Sequence, residues 1–301
     1  METIYFAGGC FWGVEHFFKG VDGVADACPG YANGNTENPT YQEVYTDTTG
    51  FAETVRVRYN PGRVSLAELC KLFFAIIDPF SLNRQGHDEG TRYRTGIFYE
   101  NEADRPVLEA AFAAVAKELG QAPVTELGPL CCFYPAEEYH QDYLDKNPEG
   151  YCHLPLKAFR YLRLYQDIRL YLGDEPDAVA RMANTAALIH ERMGFFWTGF
   201  YIVRGEELVL GPFQGPSACF RIKFGRGVCG TAWKEARTIV VPDVEAFPGH
   251  IACSALSRSE IVVPIFRNGS VAAVLDIDST ELSTFDATDA AFLNLIAGIC
   301  L

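Results

Sequence analysis

Apolar and polar positions follow two different periods along this chain, and their order predicts a mixture of strands and helices. Ile4-Tyr5-Phe6-Ala7 is a short apolar run closed by Gly8-Gly9, a strand that ends in a turn. From residue 11 to 18 the apolar positions Val14, Phe17 and Phe18, with Val21 beyond, fall on one side of a helix. Residues 51–59 alternate as a strand, Ser65 opens a helix running to about Ile77, and residues 95–99 form another strand. Near residues 155–175 the composition changes. Leu154-Pro155-Leu156 ends a segment, and Phe159, Leu162, Tyr165, Ile168 and Leu172 then recur near helical spacing. Gly173-Asp174-Glu175-Pro176 punctuates, and a second helical pattern runs from 177 to 193. Beyond it, strands are predicted over 197–203, 208–210, 219–224, 238–241, 260–266 and 271–277, with Arg267-Asn268-Gly269-Ser270 as the hairpin turn between the last two. The pattern predicts an α+β chain of two domains, residues 1–156 and 157–301. The second would be an antiparallel sheet with flanking helices, and the connecting helix belongs to it.

Composition narrows the classes. The chain has 301 residues, 49% hydrophobic and 21% charged, which are globular values. A net charge of −14 argues against nucleic acid or an anionic membrane as partner. No apolar run approaches the roughly 18 residues of a membrane span. The N-terminus carries neither a basic leader nor an Ala-x-Ala-like cleavage site, so a cytoplasmic protein is expected. Ten cysteines in such a chain are not a secreted disulfide framework. There is no Cys-x-x-Cys pair, so a structural zinc site is not expected. Cys28, Cys70 and Cys300 stand in contexts where packing is their expected role.

Two segments concentrate candidate chemistry. Gly8-Gly9-Cys10-Phe11-Trp12-Gly13 puts a thiol where a strand hands over to a helix. Helix N–H groups and the helix dipole favour thiolate there, predicting a lowered Cys10 pKa. The aromatic pair beside it suits a methyl–sulfur ligand, although a buried cysteine among core aromatics fits the same letters. Glu53, on an otherwise apolar strand, is either an exposed carboxylate or a buried acid with a raised pKa. In the second half, the strand Val271-Ala272-Ala273-Val274-Leu275-Asp276-Ile277-Asp278 places Asp276 and Asp278 on one face, about 7 Å apart. Glu260 opens the neighbouring strand. The three either surround a ligand's ammonium group or form an ordinary solvated strand end.

Residues 1–156 resemble peptide methionine sulfoxide S-reductases. The resemblance rests on Gly9-Cys10-Phe11-Trp12-Gly13 and Gly150-Tyr151-Cys152-His153. Between them, in order, lie Pro39-Thr40-Tyr41-Gln42-Glu43-Val44, Ala52-Glu53, Gln85-Gly86-His87-Asp88, Thr91-Arg92-Tyr93-Arg94 and Ala136-Glu137-Glu138-Tyr139-His140-Gln141. It implies a sheet-and-helix sandwich with Cys10 as nucleophile, Phe11 and Trp12 as methyl pocket and Glu53 as acid. Tyr41, Asp88 and Tyr93 would orient the sulfoxide oxygen, and Cys152 would resolve the sulfenic acid into a disulfide that thioredoxin reduces. Phe51 and His87 depart from the pattern, where His and Asn are expected. Longer relatives carry a further recycling cysteine in a Gly-rich tail, where this chain continues into its second domain. The adjacent Cys131 and Cys132 would stand in for it or only pack; as neighbours they are poor partners for one another.

From about 165 to 301 the chain resembles the GAF-fold free methionine-R-sulfoxide reductases. The matching runs are Leu208-Val209-Leu210-Gly211-Pro212-Phe213-Gln214-Gly215, Phe224-Gly225-Arg226-Gly227-Val228-Cys229-Gly230-Thr231-Ala232, Gly249-His250-Ile251-Ala252-Cys253 and Leu275-Asp276-Ile277-Asp278-Ser279. This resemblance implies Cys253 as nucleophile, Cys219 as main resolving thiol and Cys229 as a second. Trp197 and Tyr201 would line the pocket, while Glu260, Asp276 and Asp278 would bind the amino acid. Together the resemblances imply a bifunctional reductase without metal or organic cofactor, acting on protein-bound and free S-sulfoxide in one half and free R-sulfoxide in the other. The rival reading is a non-catalytic, ligand- or redox-sensing GAF module regulating the first half. Gly225-x-Gly227-x-x-Gly230 is a formal dinucleotide fingerprint. It is rejected because residues 219–224 alternate with charges and the helix after them, about 231–236, is too short for a crossover. His250 near Cys253 lacks further ligands at metal spacing, and the sequon at Asn268 has no meaning in a cytoplasmic protein.

Overall fold

The computed structural model describes residues 1–249 and 255–300. His250 and the nucleophile expected at Cys253 therefore lie outside the described residues. The chain divides into two compact units, Met1–Phe159 and Arg160–Leu301.

The first unit opens with β1 (Glu2–Gly8), α1 (Phe11–Lys19), β2 (Val24–Ala32), α2 (Tyr41–Tyr45), β3 (Ala52–Tyr59) and α3 (Leu66–Ile76). A two-stranded ribbon, β4 (Arg84–Gln85) and β5 (Asp88–Glu89), precedes a single 3-10 turn at Thr91–Tyr93. Then come β6 (Thr95–Tyr99), α4 (Arg105–Leu119), β7 (Glu126–Pro129), β8 (Phe133–Pro135) and α5 (Tyr143–Lys146). Six strands form one sheet in the order β7-β6-β1-β3-β2-β8. All pairs are antiparallel except β6 with β7. The unbroken apolar run of β1 has a physical reason, since both of its faces are covered. Phe6 stacks on Phe18 of α1 at 4.6 Å and on Phe73 of α3 at 4.9 Å. On the opposite face Tyr5 and Ala7 pack with Ala32, Ala52 and Phe98.

Two elements contradict the turn and loop signals of the sequence. β2 contains Pro29 and Gly30, yet Pro29 stands opposite Val55 in the ladder. The missing Pro29 N–H costs little because β2 is bordered on that side only by the three-residue β8, while the Pro29 carbonyl accepts from Ala136 N–H at 2.9 Å. α4 escapes the periodicity because Leu108 alone on it is fully buried.

The second unit begins within α6 (Leu156–Leu172), continues through α7 (Ala178–Met193) and builds a sheet from β9 (Trp197–Arg204), β10 (Glu207–Gln214), β11 (Arg221–Lys223), β12 (Ile239–Val241), β13 (Ser259–Arg267) and β14 (Ser270–Ser279). α8 (Gly227–Glu235) lies between β11 and β12, and α9 (Ala287–Ala297) follows β14. The strand order is β11-β10-β9-β14-β13-β12, antiparallel throughout. The Gly225–Gly230 segment thus follows an edge strand antiparallel to its neighbour, and no parallel crossover is present for a dinucleotide in this sheet among the described residues. α8 starts about four residues earlier than the pattern predicts, because Gly227 and Gly230 serve as helix rather than loop. No helix among the described residues is long and apolar enough to cross a membrane.

The short helix α2 stands on its cap. Thr40 Oγ1 accepts from Glu43 N–H at 3.4 Å, and the Glu43 carboxylate accepts from Thr40 N–H at 2.8 Å, a reciprocal capping box. Replacing Thr40 with Ala should cost about 1 kcal/mol and raise amide exchange at Glu43. Exchange measured by mass spectrometry, with calorimetry of the intact chain, checks this; unchanged exchange at Glu43 would refute the cap's role.

Candidate active sites

In the first unit, Cys10 caps the N-terminus of α1 and is 6% exposed. Gly9 precedes it at φ +85°, and a Cβ there would come within 2.6 Å of Gln85, so only glycine makes this turn. The backbone N–H of Trp12 points at the Cys10 sulfur, as the helix terminus requires. The thiol is nonetheless pushed well up, first by burial and then by the charge of Glu53. The lowered pKa expected from the helix dipole is therefore corrected: burial of the sulfur outweighs one helix terminus.

Glu53 is fully buried on β3, and its Oε2 accepts from Phe11 N–H at 3.1 Å. Burial pushes its carboxyl up to about 8, against the opposing pull of that N–H and of Arg92. It is therefore a protonated acid at neutral pH. The proton it keeps also removes the charge that would otherwise oppose a Cys10 thiolate. Tyr41, pushed up to about 12 by burial and then by Glu53, and Tyr93, raised for the same two reasons, are neutral donors beside this carboxyl. Asp88 on β5 reaches the same place: one of its oxygens lies within 4.8 Å of the Cys10 sulfur. Cys152 packs over α1, where a Cβ at Gly13 would meet its Sγ at 3.0 Å. Trp12, half-buried, stacks on Tyr143 at 3.7 Å, and Phe11 is buried beside it. All eight residues singled out from the sequence in this half thus surround the start of α1. Cys131 is exposed, Cys132 is half-buried, and both are free thiols.

In the second unit, a pocket is lined by Trp197 and Tyr201 from β9, Cys229 from α8, Glu260 from β13, and Asp276 and Asp278 from β14. The register explains the convergence: Glu260 stands opposite Asp278, which on its other side stands opposite Trp197. Trp197 lies flat along its strand over Gly199, where a Cβ would come within 2.4 Å of the indole. Its Nε1–H donates to Pro216 O at 3.0 Å, and Tyr201 OH donates to Cys219 O at 3.0 Å. Burial, then the charge of neighbouring carboxyls (Asp276 and Asp278 on Glu260, Asp278 on Asp276), holds Glu260 and Asp276 well above the carboxylate range; they share a hydrogen bond. Burial pushes Asp278 up to about 6. The Asp276 Oδ1 atom is buried without a donor among the described residues. Cys229 is fully buried against these acids and stays a thiol. Cys219 is in a disulfide, whereas eight other described cysteines are free.

Comparison with known proteins matches the family described as peptide methionine sulfoxide reductase to residues 2–168. A peptide methionine sulfoxide reductase MsrA from Clostridium acetobutylicum is 52% identical over 160 residues, 53% of this chain and 99% of its own. One from Clostridium botulinum is 51% identical over 156 residues, 52% of this chain and 99% of its own. The chain belongs to the peptide methionine sulfoxide reductase family. A GAF domain matches residues 174–300. A solved free methionine-R-sulfoxide reductase from Neisseria meningitidis, in complex with its substrate, is 56% identical, covering 46% of this chain and 85% of that one, with a TM-score of 0.46.

This methionine sulfoxide reductase domain also uses residues to which the sequence assigns no role. His140 is 2% exposed, accepts from Trp12 Nε1–H at 3.1 Å through Nδ1, and packs its ring 4.6 Å from that of Tyr41. It therefore orients two pocket residues at once. Glu137 accepts from Tyr31 OH and Tyr41 N–H, each at 2.8 Å. Burial works against its charge, but these donors hold it below the usual carboxylate range. Both residues sit in the Ala136–Gln141 run, which was the available signal. The departures are accounted for as well. Phe51 is buried edge-on to Tyr134, and His87 is exposed.

Because Glu53 is protonated more readily folded than unfolded, its burial is tolerated best at low pH and destabilises progressively as pH rises from about 4.5 towards 8. Glu53→Gln removes that dependence. The melting-temperature gain of the variant should therefore be larger at pH 8.5 than at pH 5, measured by calorimetry. An equal gain at both would mean Glu53 is not buried as a neutral acid.

Proposed function

We propose that this chain reduces methionine sulfoxide at two separate sites, one for each epimer at sulfur. The observation that carries the first is the buried, proton-holding Glu53 carboxyl at the start of the helix that bears Cys10. A sulfoxide sulfur becomes electrophilic only as its oxygen gains a proton. Glu53 supplies that proton, with Tyr41 and Tyr93 donating to the oxygen, and Cys10 attacks sulfur to form an S–S bond as the S–O bond breaks. The released hydroxide oxygen then bonds to the Cys10 sulfur, the S–S bond breaks, methionine leaves as the thioether, and Cys10 carries the oxygen as sulfenic acid. The thiol proton restores Glu53, so the acid is regenerated. Cys152 then attacks the Cys10 sulfur, water departs, and a Cys10–Cys152 disulfide remains. An external dithiol of the thioredoxin class returns both thiols, taking the two oxidising equivalents as its own disulfide. Phe11 and Trp12 receive the substrate methyl, and Asp88 helps to orient the reacting groups. The reaction needs no resident metal or organic cofactor, and it takes place in the cytoplasm on protein-bound and free methionine S-sulfoxide.

The second site reads as a free methionine R-sulfoxide reductase. Three clustered carboxyls with a bare Asp276 oxygen favour a ligand that brings its own ammonium, which free methionine sulfoxide has and a peptide residue lacks. Trp197 and Tyr201 supply an apolar wall, and the protonated acids supply the proton. Cys253 is the nucleophile and Cys219 the resolving thiol, with Cys229 as a second. The disulfide state of Cys219, while eight other cysteines are free, supports that role. Since each epimer requires its own enzyme, the fusion covers both.

Four epimer substrates separate the sites: S and R, free and peptide-bound. Cys10→Ser should abolish S-sulfoxide reduction and leave free R-sulfoxide turnover intact; Cys253→Ser should do the reverse. Free R-sulfoxide turnover surviving in Cys253→Ser, or absent from the intact chain, would sink the catalytic reading of the GAF half in favour of a sensor. Glu53→Gln should lower S-sulfoxide kcat/KM by about 10²–10⁴. Peptide mapping after a single turnover without reductant should find Cys10–Cys152 and Cys219–Cys253; a bridge to Cys131 or Cys229 would reassign the resolving thiols.

A further inference from the structure

Three side chains with different metal-ligating atoms meet at the start of α1. Cys10, Asp88 and His153 each place one such atom within 4.8 Å of the other two. They come from the helix cap, from β5 and from the residue after Cys152, so no sequence spacing betrays them. His153 Nε2 lies 2.9 Å from the Gly8 carbonyl, which can only accept, so this nitrogen carries the ring proton and Nδ1 bears a lone pair. That Nδ1 is buried and has no hydrogen-bond partner, and the same holds for Asp88 Oδ2. Tyr151 OH serves Asp88, but no donor among the described residues reaches these two atoms.

A bare imidazole nitrogen, a carboxylate oxygen and a sulfur gathered together are all electron-pair donors. Without a cation between them they repel, and the buried lone pairs of His153 Nδ1 and Asp88 Oδ2 go unmatched among the described residues. A proton bridges only two of them. A divalent ion serves all three, and a sulfur–imidazole–carboxylate set favours Zn²⁺ over Mg²⁺ or Ca²⁺. Tetrahedral zinc bonds of about 2.0–2.3 Å set ligand atoms about 3.3–3.8 Å apart, so the three atoms, now within 4.8 Å of one another, would close in around the ion, and a fourth position stays open.

We propose that Cys10, Asp88 and His153 form a Zn²⁺ site in the reduced protein, and that the bound ion holds the N-terminal site off by occupying its nucleophile. Binding exchanges the thiol proton of Cys10 for the metal and releases it to solvent, with no change of oxidation state. Oxidation of Cys10 to sulfenic acid or disulfide removes the thiolate and expels the ion. The binding stands on the geometry alone, whereas the inhibition rests on the function proposed above.

The test is a Zn²⁺ titration of the intact, fully reduced chain against a chromophoric chelator. It is repeated on Cys10→Ser, Asp88→Asn and His153→Gln, whose amide nitrogen reaches where Nε2 does. The wild-type protein should hold one equivalent more than each variant, since other thiols are common to all. It should also lose that equivalent when Cys10 and Cys152 are disulfide-bonded, an arm that needs no variant to fold. Equal stoichiometry and affinity across wild type, variants and oxidised protein would overturn the site. Reduction of peptide methionine S-sulfoxide should fall at least tenfold at saturating Zn²⁺ and return with chelator. Tight binding with unchanged activity would overturn the inhibition. A metal-free chain inactive on every sulfoxide would instead sink the function reading, leaving the binding result to stand.

Discussion

The hydrogen bond from Phe11 N–H to the buried carboxyl of Glu53 ties the first strand layer of this protein to its chemistry. It brings a strand acid against the first turn of α1, where Cys10 sits. Removing that carboxyl from water is what makes it an acid at neutral pH, and the same burial raises the neighbouring thiol. A carboxyl that would ordinarily be charged and a thiol are thereby both held neutral, side by side. The aromatic surroundings follow from this need, because Phe11, Trp12, Tyr41 and His140 keep water from a site whose function depends on scarcity of water.

The second unit reaches a similar end by another route. Here a carboxyl keeps its proton through burial reinforced by two like neighbours, the arrangement produced when Glu260, Asp276 and Asp278 fall on adjacent strands in register. An acid cluster suits a ligand with an ammonium. Both units thus use the same element, a proton held on a buried strand carboxyl near a buried cysteine.

Much of this was legible beforehand, and the failures have identifiable causes. β1, β6 and the β13–β14 hairpin read directly, because continuous burial or strict alternation leaves a local trace. β2 did not, because Pro29 and Gly30 carry turn signals that a nearly open sheet border tolerates. The thiol's direction of shift was misread from the helix terminus because desolvation depends on what covers a residue. His140 and His153 passed without a role for the same reason: their partners lie 128 and 145 residues away in the chain.

What the sequence determined by itself was the list of reagents and the order of elements: which thiols, which acids, which aromatic walls, and a two-part chain. These are properties of residue type and short spacing, and local propensity with period carries them. What only the tertiary structure decided was the protonation state of those reagents and their company. Glu53 is an acid rather than a surface carboxylate, Asp276 and Glu260 are partners rather than solvated strand ends, and Cys10 shares its corner with Asp88 and His153. Each depends on contacts between distant segments, and burial, unlike periodicity, leaves no mark on the letters nearby.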